Sequence, residues 1–103
     1  MEYELIITES ANNDLDSIFS YILNSLCNPK AANDFADLIE QKYEEIIKYP
    51  FMFEESRDNI LRCKGYRRIP VNNYVILYKV TEESKEVIIT RIFYGGQNYS
   101  EYL

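Results

Sequence analysis

The chain reads as an α+β domain of order β-α-α-β-β-β, a helical hairpin packed on one face of a small, mostly antiparallel sheet. Three observations predict this. Two consecutive segments carry apolar residues at helical spacing, and a short Asn28-Pro29 joint separates them. After Ile60 the pattern changes to extended apolar runs divided by turn residues. With 103 residues the chain supports one core and one domain, spanning 1–103.

Taken in order, Tyr3 to Thr8 predicts a short strand, because Leu5, Ile6 and Ile7 are apolar or β-branched. Thr8 or Ser10 suits the cap of a first helix, with Glu9 favoured in its positive first turn. Ala11, Leu15, Ile18, Ile22 and Leu26 then form one apolar stripe. Asn28 caps a second helix and Pro29 occupies its first position. Its stripe is Ala32, Phe35, Ile39, Tyr43 and Ile46, and Tyr49-Pro50 ends it. Residues 51–59 form a loop. Ile60 to Val71 predicts a strand weakened at Gly65 and Pro70. Asn72-Asn73 is a turn, Tyr74 to Thr81 a central strand, and Glu82 to Lys85 a hairpin turn. Val87 to Tyr94 is the last strand, Gly95-Gly96 breaks it, and Gln97 to Leu103 is a tail.

Composition removes several function classes. No apolar run reaches the roughly 20 residues of a membrane span, and the acidic start Met1-Glu2-Tyr3-Glu4 does not resemble a secretory leader. A cytoplasmic location is expected, with no membrane partner. Cys27 and Cys63 are far apart and form no CxxC pair, so they read as reduced packing residues. Histidine is absent, which removes the commonest general base and metal ligand. No cofactor or metal is expected.

The net charge of −6 disfavours general nucleic-acid binding. It is unevenly spread: residues 1–59 hold 13 acidic and 4 basic side chains, and residues 60–103 hold 4 and 7. The second half therefore offers a local positive face.

Arg62, Lys64, Arg67 and Arg68 crowd that half, and strand parity places Arg62 and Lys64 on one face with Leu61 and Cys63 on the other. Arg91, set between Ile89 and Phe93 on one side of its strand, needs a partner or a route to solvent. Either a helix carboxylate pairs with it, or it belongs to a face that receives an anion or an acidic partner. Asp14, Asp16, Asp34 and Asp37 read as polar helix faces, and Glu44-Glu45 and Glu54-Glu55 as solvated runs. No nucleophile has a base motif beside it. Tyr94, at the end of the last strand, either packs at the core rim or is exposed.

In their joint order, these segments resemble the RelE/ParE superfamily of bacterial toxins from type II toxin–antitoxin systems. Those that carry the likeness are Tyr3-Glu4-Leu5-Ile6-Ile7, Ala11-Asn12-Asn13-Asp14-Leu15, Ile18 to Ile22, Asn28 to Ala32 and Tyr49-Pro50, then Gly65 to Val71, Asn73 to Val80 and Val87 to Tyr94. The likeness covers nearly the whole chain.

It implies a growth-arresting toxin and a cognate antitoxin that wraps it. RelE-like members cut mRNA in the ribosomal A site, whereas ParE-like members inhibit DNA gyrase. If this chain were a nuclease, the resemblance would give catalytic roles to Arg68, Arg91 and Tyr94. As a binding toxin it would use Arg62, Lys64, Arg67, Arg68, Arg91 and Tyr94 against target or antitoxin. Val75 stands where RelE-like nucleases carry an arginine, and Phe93 where some carry the catalytic histidine. Gly96 and Gln97 fall where many members carry arginines. These departures remove charge that phosphoryl transfer requires, and Asn73-Tyr74-Val75-Ile76-Leu77-Tyr78 looks more ParE-like. The expectation is a ParE-like toxin that binds gyrase. A RelE-like nuclease acting on ribosome and mRNA is the alternative, and a non-toxic binding module of the same fold is a third. A homodimer is compatible with the sequence, though nothing in it demands one.

Overall fold

The computed structural model of the chain describes residues 3–55 and 62–95. In chain order the elements are strand β1 (Glu4–Ile7), helix α1 (Glu9–Ser20), a π-helical turn (Tyr21–Ser25), helix α2 (Pro29–Lys48), and strands β2 (Tyr66–Val71), β3 (Tyr74–Thr81) and β4 (Glu86–Tyr94). The sheet runs β1-β4-β3-β2. Its β2–β3 and β3–β4 pairs are antiparallel, and β1 joins β4 in parallel. The predicted α+β order holds, and the sheet is mixed through that one parallel pair.

Local chemistry fixes the joints. Thr8, not Ser10, caps α1: its hydroxyl accepts from the Ala11 N–H at 3.1 Å. The same hydroxyl lies 3.0 and 2.9 Å from the Ile89 and Thr90 carbonyls, tying the start of α1 to β4. Asn28 caps α2 by accepting from the Ala31 N–H, with Pro29 at the first position as expected.

Four sequence expectations are corrected. First, the α1 stripe does not extend to Leu26, which is 54% exposed. The π-helical turn closes with the Leu26 N–H on the Tyr21 carbonyl, five residues back, and this wider turn rotates Leu26 off the apolar face. Second, the strand expected from Ile60 begins only at Tyr66. Arg62 and Cys63 lie in a helical turn, and Gly65 takes a φ of +88°, which an extended strand does not allow. Arg62 and Lys64 therefore do not share strand parity. Third, both cysteines are free as expected, yet both are exposed, not packed. Fourth, Ile89 and Arg91 do not share a face, for a reason given below. Ile60, Leu61, most of the expected 51–59 loop's second half (56–59), and Gly96 with the tail lie outside the described residues.

The core fills the space between helices and sheet. Phe35, Ile39 and Ile46 of α2 meet Ile69, Ile76, Tyr78, Ile89 and Ile92, all 2% exposed or less. A smaller cluster, Leu77 and Phe93 with half-buried Tyr66, lies on the other sheet face.

Two tyrosines in the core contrast. The Tyr78 hydroxyl donates to the Pro50 carbonyl at 2.7 Å, whereas the buried Tyr43 hydroxyl has no hydrogen-bond partner among the described residues. Burial pushes each hydroxyl from its ordinary value of 10.0 up to about 12. A raised folded-state value favours the neutral form, so this contribution is complete below the unfolded value. It is lost as pH rises from there through about 12. Tyr43→Phe is expected to leave stability at neutral pH unchanged or raise it, and to soften the alkaline loss. Tyr78→Phe, which strands the Pro50 carbonyl, is expected to cost about 1–2 kcal/mol. Urea denaturation at neutral and alkaline pH checks both.

Candidate functional site

One irregularity in β4 decides where its arginine goes. From the hairpin, Val80 pairs with Val87, Lys79 with Ile88 and Tyr78 with Ile89; then Leu77 pairs with Arg91, leaving Thr90 as an extra residue. The bulge is held by the Thr90 hydroxyl donating to the Leu77 carbonyl at 2.9 Å. In regular register Arg91 would stand opposite Ile76, which is 0% exposed in the main core. A one-residue slip exchanges the faces of a strand. It thus moves Arg91 to the face away from the helices, beside Leu77 and Phe93. Arg68 pairs with Leu77 from the other side, so Arg68, Leu77 and Arg91 form one row across β2, β3 and β4.

Each arginine of the row holds a carboxylate. β1 stops pairing at Ile7, opposite Ile89, so beyond that point the edge of β4 faces α1. There Asp14 takes the place of a strand. It accepts from Arg91 through Nε at 2.7 Å and Nη2 at 2.9 Å, and from the Ile92 N–H at 3.0 Å. The Arg91 guanidinium also lies 5.2 Å from the centre of the Phe93 ring. At the opposite edge, Arg68 Nη1 donates to Glu54 Oε1 at 2.6 Å, and the Arg68 N–H donates to the Glu54 carbonyl at 3.0 Å. Arg68 is 8% exposed, and its Nε has no hydrogen-bond partner among the described residues.

The remaining predicted residues are scattered. Arg67 belongs to the helix-facing side of β2; it donates to the Phe53 carbonyl at 2.8 Å and lies 5.0 Å from the centre of the Phe51 ring. It anchors the segment after α2. Arg62 and Lys64 are exposed in the turn before β2. Tyr94, 56% exposed, packs edge-on against Tyr74 at 6.0 Å, and Tyr74 in turn rests on Phe35 at 5.2 Å. Burial, then the neighbouring Tyr21 and Tyr94, raise the Tyr74 hydroxyl above its ordinary value.

Tyr74 and Tyr94 together wall two open clefts. One, about 190 Å³, lies toward Asp14, Ser17 and Arg91. The other, about 300 Å³, lies toward Arg68, Asn72, Asn73 and Gly95. From the sequence Asp14 and Glu54 read as solvated carboxylates; the structure makes them the partners of Arg91 and Arg68. Asp14 did carry a signal: it follows Ala11 by three positions and adjoins Leu15, so it borders the buried stripe.

The chain matches the family model for the ParE toxin of the type II toxin–antitoxin system, parDE, over residues 5–99. The chain belongs to this family and is thus a toxin of a type II toxin–antitoxin system. The fold is shared with solved structures. The chromosomal ParDE toxin–antitoxin system from P. aeruginosa gives a TM-score of 0.72 at 20% identity, covering 90% of this chain and 96% of that one. A double arginine-to-alanine mutant of E. coli RelE in the free state gives 0.66 at 16% identity, covering 99% and 93%. The RelBE2 toxin–antitoxin complex from Mycobacterium tuberculosis gives 0.64 at 19%, covering 91% and 99%. Among curated proteins no match was found. No helix among the described residues is long and apolar enough to cross a membrane.

Proposed function

We propose that the chain arrests growth by binding its target in the cytoplasm, that the target is DNA gyrase, and that a cognate antitoxin neutralises it. The observation that carries this reading is the pairing of both arginines of the cross-strand row with internal carboxylates, Arg91 with Asp14 and Arg68 with Glu54. A ribonuclease must stabilise charge that develops on phosphate, and guanidinium groups whose charge is already offset by an internal carboxylate do this poorly. The chain also lacks histidine for proton transfer. A binding toxin needs neither. Membership of the ParE family supports the gyrase target, and the toxin–antitoxin complexes among its structural relatives support the antitoxin.

The second reading is a ribosome-dependent mRNA endonuclease using Arg68, Arg91 and Tyr94. Its support is that Arg68 and Arg91 share one sheet face and that Tyr94 borders the cleft of each.

Pulse incorporation of labelled thymidine and methionine after induction of the chain alone separates the two. Early loss of thymidine incorporation is expected, along with inhibition of supercoiling by purified gyrase. Early loss of methionine incorporation with gyrase unaffected would reject the gyrase reading and support the nuclease.

A further inference from the structure

We propose that the cleft beside Arg68 is a carboxylate site that receives an aspartate or glutamate side chain from the antitoxin. The identity of the partner rests on the function proposed above; the chemistry of the site does not.

The starting point is an unmet donor. The Arg68 side chain is nine-tenths buried, with 10% exposure, and Glu54 engages it through Nη1. The Nε–H is left with no acceptor among the described residues. A buried N–H without a partner is costly, and an incoming acceptor removes that cost. A guanidinium offers several N–H groups in a fixed fork, so one edge can keep Glu54 while the Nε edge, closed to solvent in the free chain, opens to take a second carboxylate.

The rest of the cleft suits the same ligand. Asn72, Asn73 and Tyr94 line it beside Arg68, together with the apolar Pro70 and Val75. No acidic residue lines it among the described residues, in a chain of net charge −6. Its volume of about 300 Å³ is ample for one acidic side chain.

A carboxylate is favoured over a nucleic-acid phosphate by the count of charges. Arg68 is the cleft's one cation among the described residues. Polynucleotides are held by clustered cations that neutralise successive phosphates, whereas one guanidinium with neighbouring amides suffices for a single planar carboxylate. Glu54, whose side chain is 52% exposed, then acts as an internal competitor that keeps Arg68 paired until the partner arrives.

The test follows the Arg68 Nε–H signal by NMR, assigned through bonds in the isotope-labelled wild-type chain. The probes are glutamate and glutamine blocked at both ends, inorganic phosphate, and a short uridine oligonucleotide, all at constant ionic strength. Blocked glutamate is expected to displace the Arg68 Nε–H and the Asn72 and Asn73 side-chain amide signals saturably, and blocked glutamine is not. In Glu54→Gln the same titration is expected to tighten about threefold, because the half-exposed Glu54 no longer competes with a full charge. Arg68→Lys keeps the charge but lacks the Nε–H, and is expected to lose the response. If Arg68→Lys does not fold, the wild-type and Glu54→Gln titrations still decide.

Absence of a saturable shift overturns the site, as does an equal response to glutamine. Tighter binding of phosphate or the oligonucleotide than of glutamate overturns the carboxylate assignment in favour of nucleic acid. Because none of these readouts involves growth or gyrase, a failure here is separable from a failure of the proposed function.

Discussion

Asp14→Ala is expected to destabilise the chain by about 3–5 kcal/mol, the cost of removing one partner from a largely buried ion pair. The Asp14 and Arg91 side chains are 16% and 21% exposed, so water reaches them only in part. Alanine removes two charge-assisted contacts to Arg91 and the acceptor of the Ile92 N–H in one step. What remains is a poorly hydrated guanidinium and an unpaired strand edge. For a domain whose total stability is on the order of 5–15 kcal/mol, a loss of this size leaves a substantial unfolded fraction.

Two further variants separate charge from hydrogen bonding. Asp14→Asn keeps an acceptor for Ile92 but not the charge, so urea denaturation should place it between wild type and alanine. Adding Arg91→Met to Asp14→Ala should recover part of the loss, because the charge that Asp14 had offset goes with it. An Asp14→Ala chain within about 1 kcal/mol of wild type, the range of a solvent-exposed pair, would mean that the clamp is only a surface contact. The outcome also bears on function. The clamp fixes the end of β4 that carries Tyr94, and Tyr94 is shared by both clefts.

The fold was legible because its signals are local. Asn28-Pro29 marks a helix start by side-chain capping and fixed φ, and the α2 stripe from Ala32 to Ile46 is buried at all five positions. The site was less legible because it rests on pairings that no short window contains. Arg91 meets Asp14 77 positions away, and a bulge that no residue type announces decides which face Arg91 takes. Thr90, the extra residue, is an ordinary strand former. Glu54 read as half of a solvated Glu54-Glu55 pair, yet its carbonyl and carboxylate both engage Arg68. The Leu26 misreading has the same origin. A strict period of 3.6 residues carries the stripe forward, while the π-helical turn, set by a backbone bond from Leu26 to Tyr21, ends it.

Phe35→Ala is the second large effect expected, about 3–5 kcal/mol, from lost burial and the cavity left under the sheet. Phe35 is 2% exposed and lies at the centre of the α2 stripe. Its consequence extends beyond stability, because the ring supports Tyr74 at 5.2 Å and Tyr74 meets Tyr94 at 6.0 Å. Removing the bottom ring lets Tyr74 settle inward or admits water beneath it. Since burial is the main cause of the raised Tyr74 hydroxyl, admitted water would let it titrate closer to 10.0, and closer packing would not. Alkaline spectrophotometric titration of the variant, beside Tyr74→Phe as reference, distinguishes the two. Phe35→Leu should lose less stability and keep the Tyr74 titration near that of wild type, because it fills most of the same volume. If Phe35→Ala loses stability but leaves both the Tyr74 titration and growth arrest unchanged under conditions where it is folded, the aromatic stack is packing alone. If growth arrest weakens together with the Tyr74 shift, the core of α2 sets the position of the tyrosines that wall both clefts.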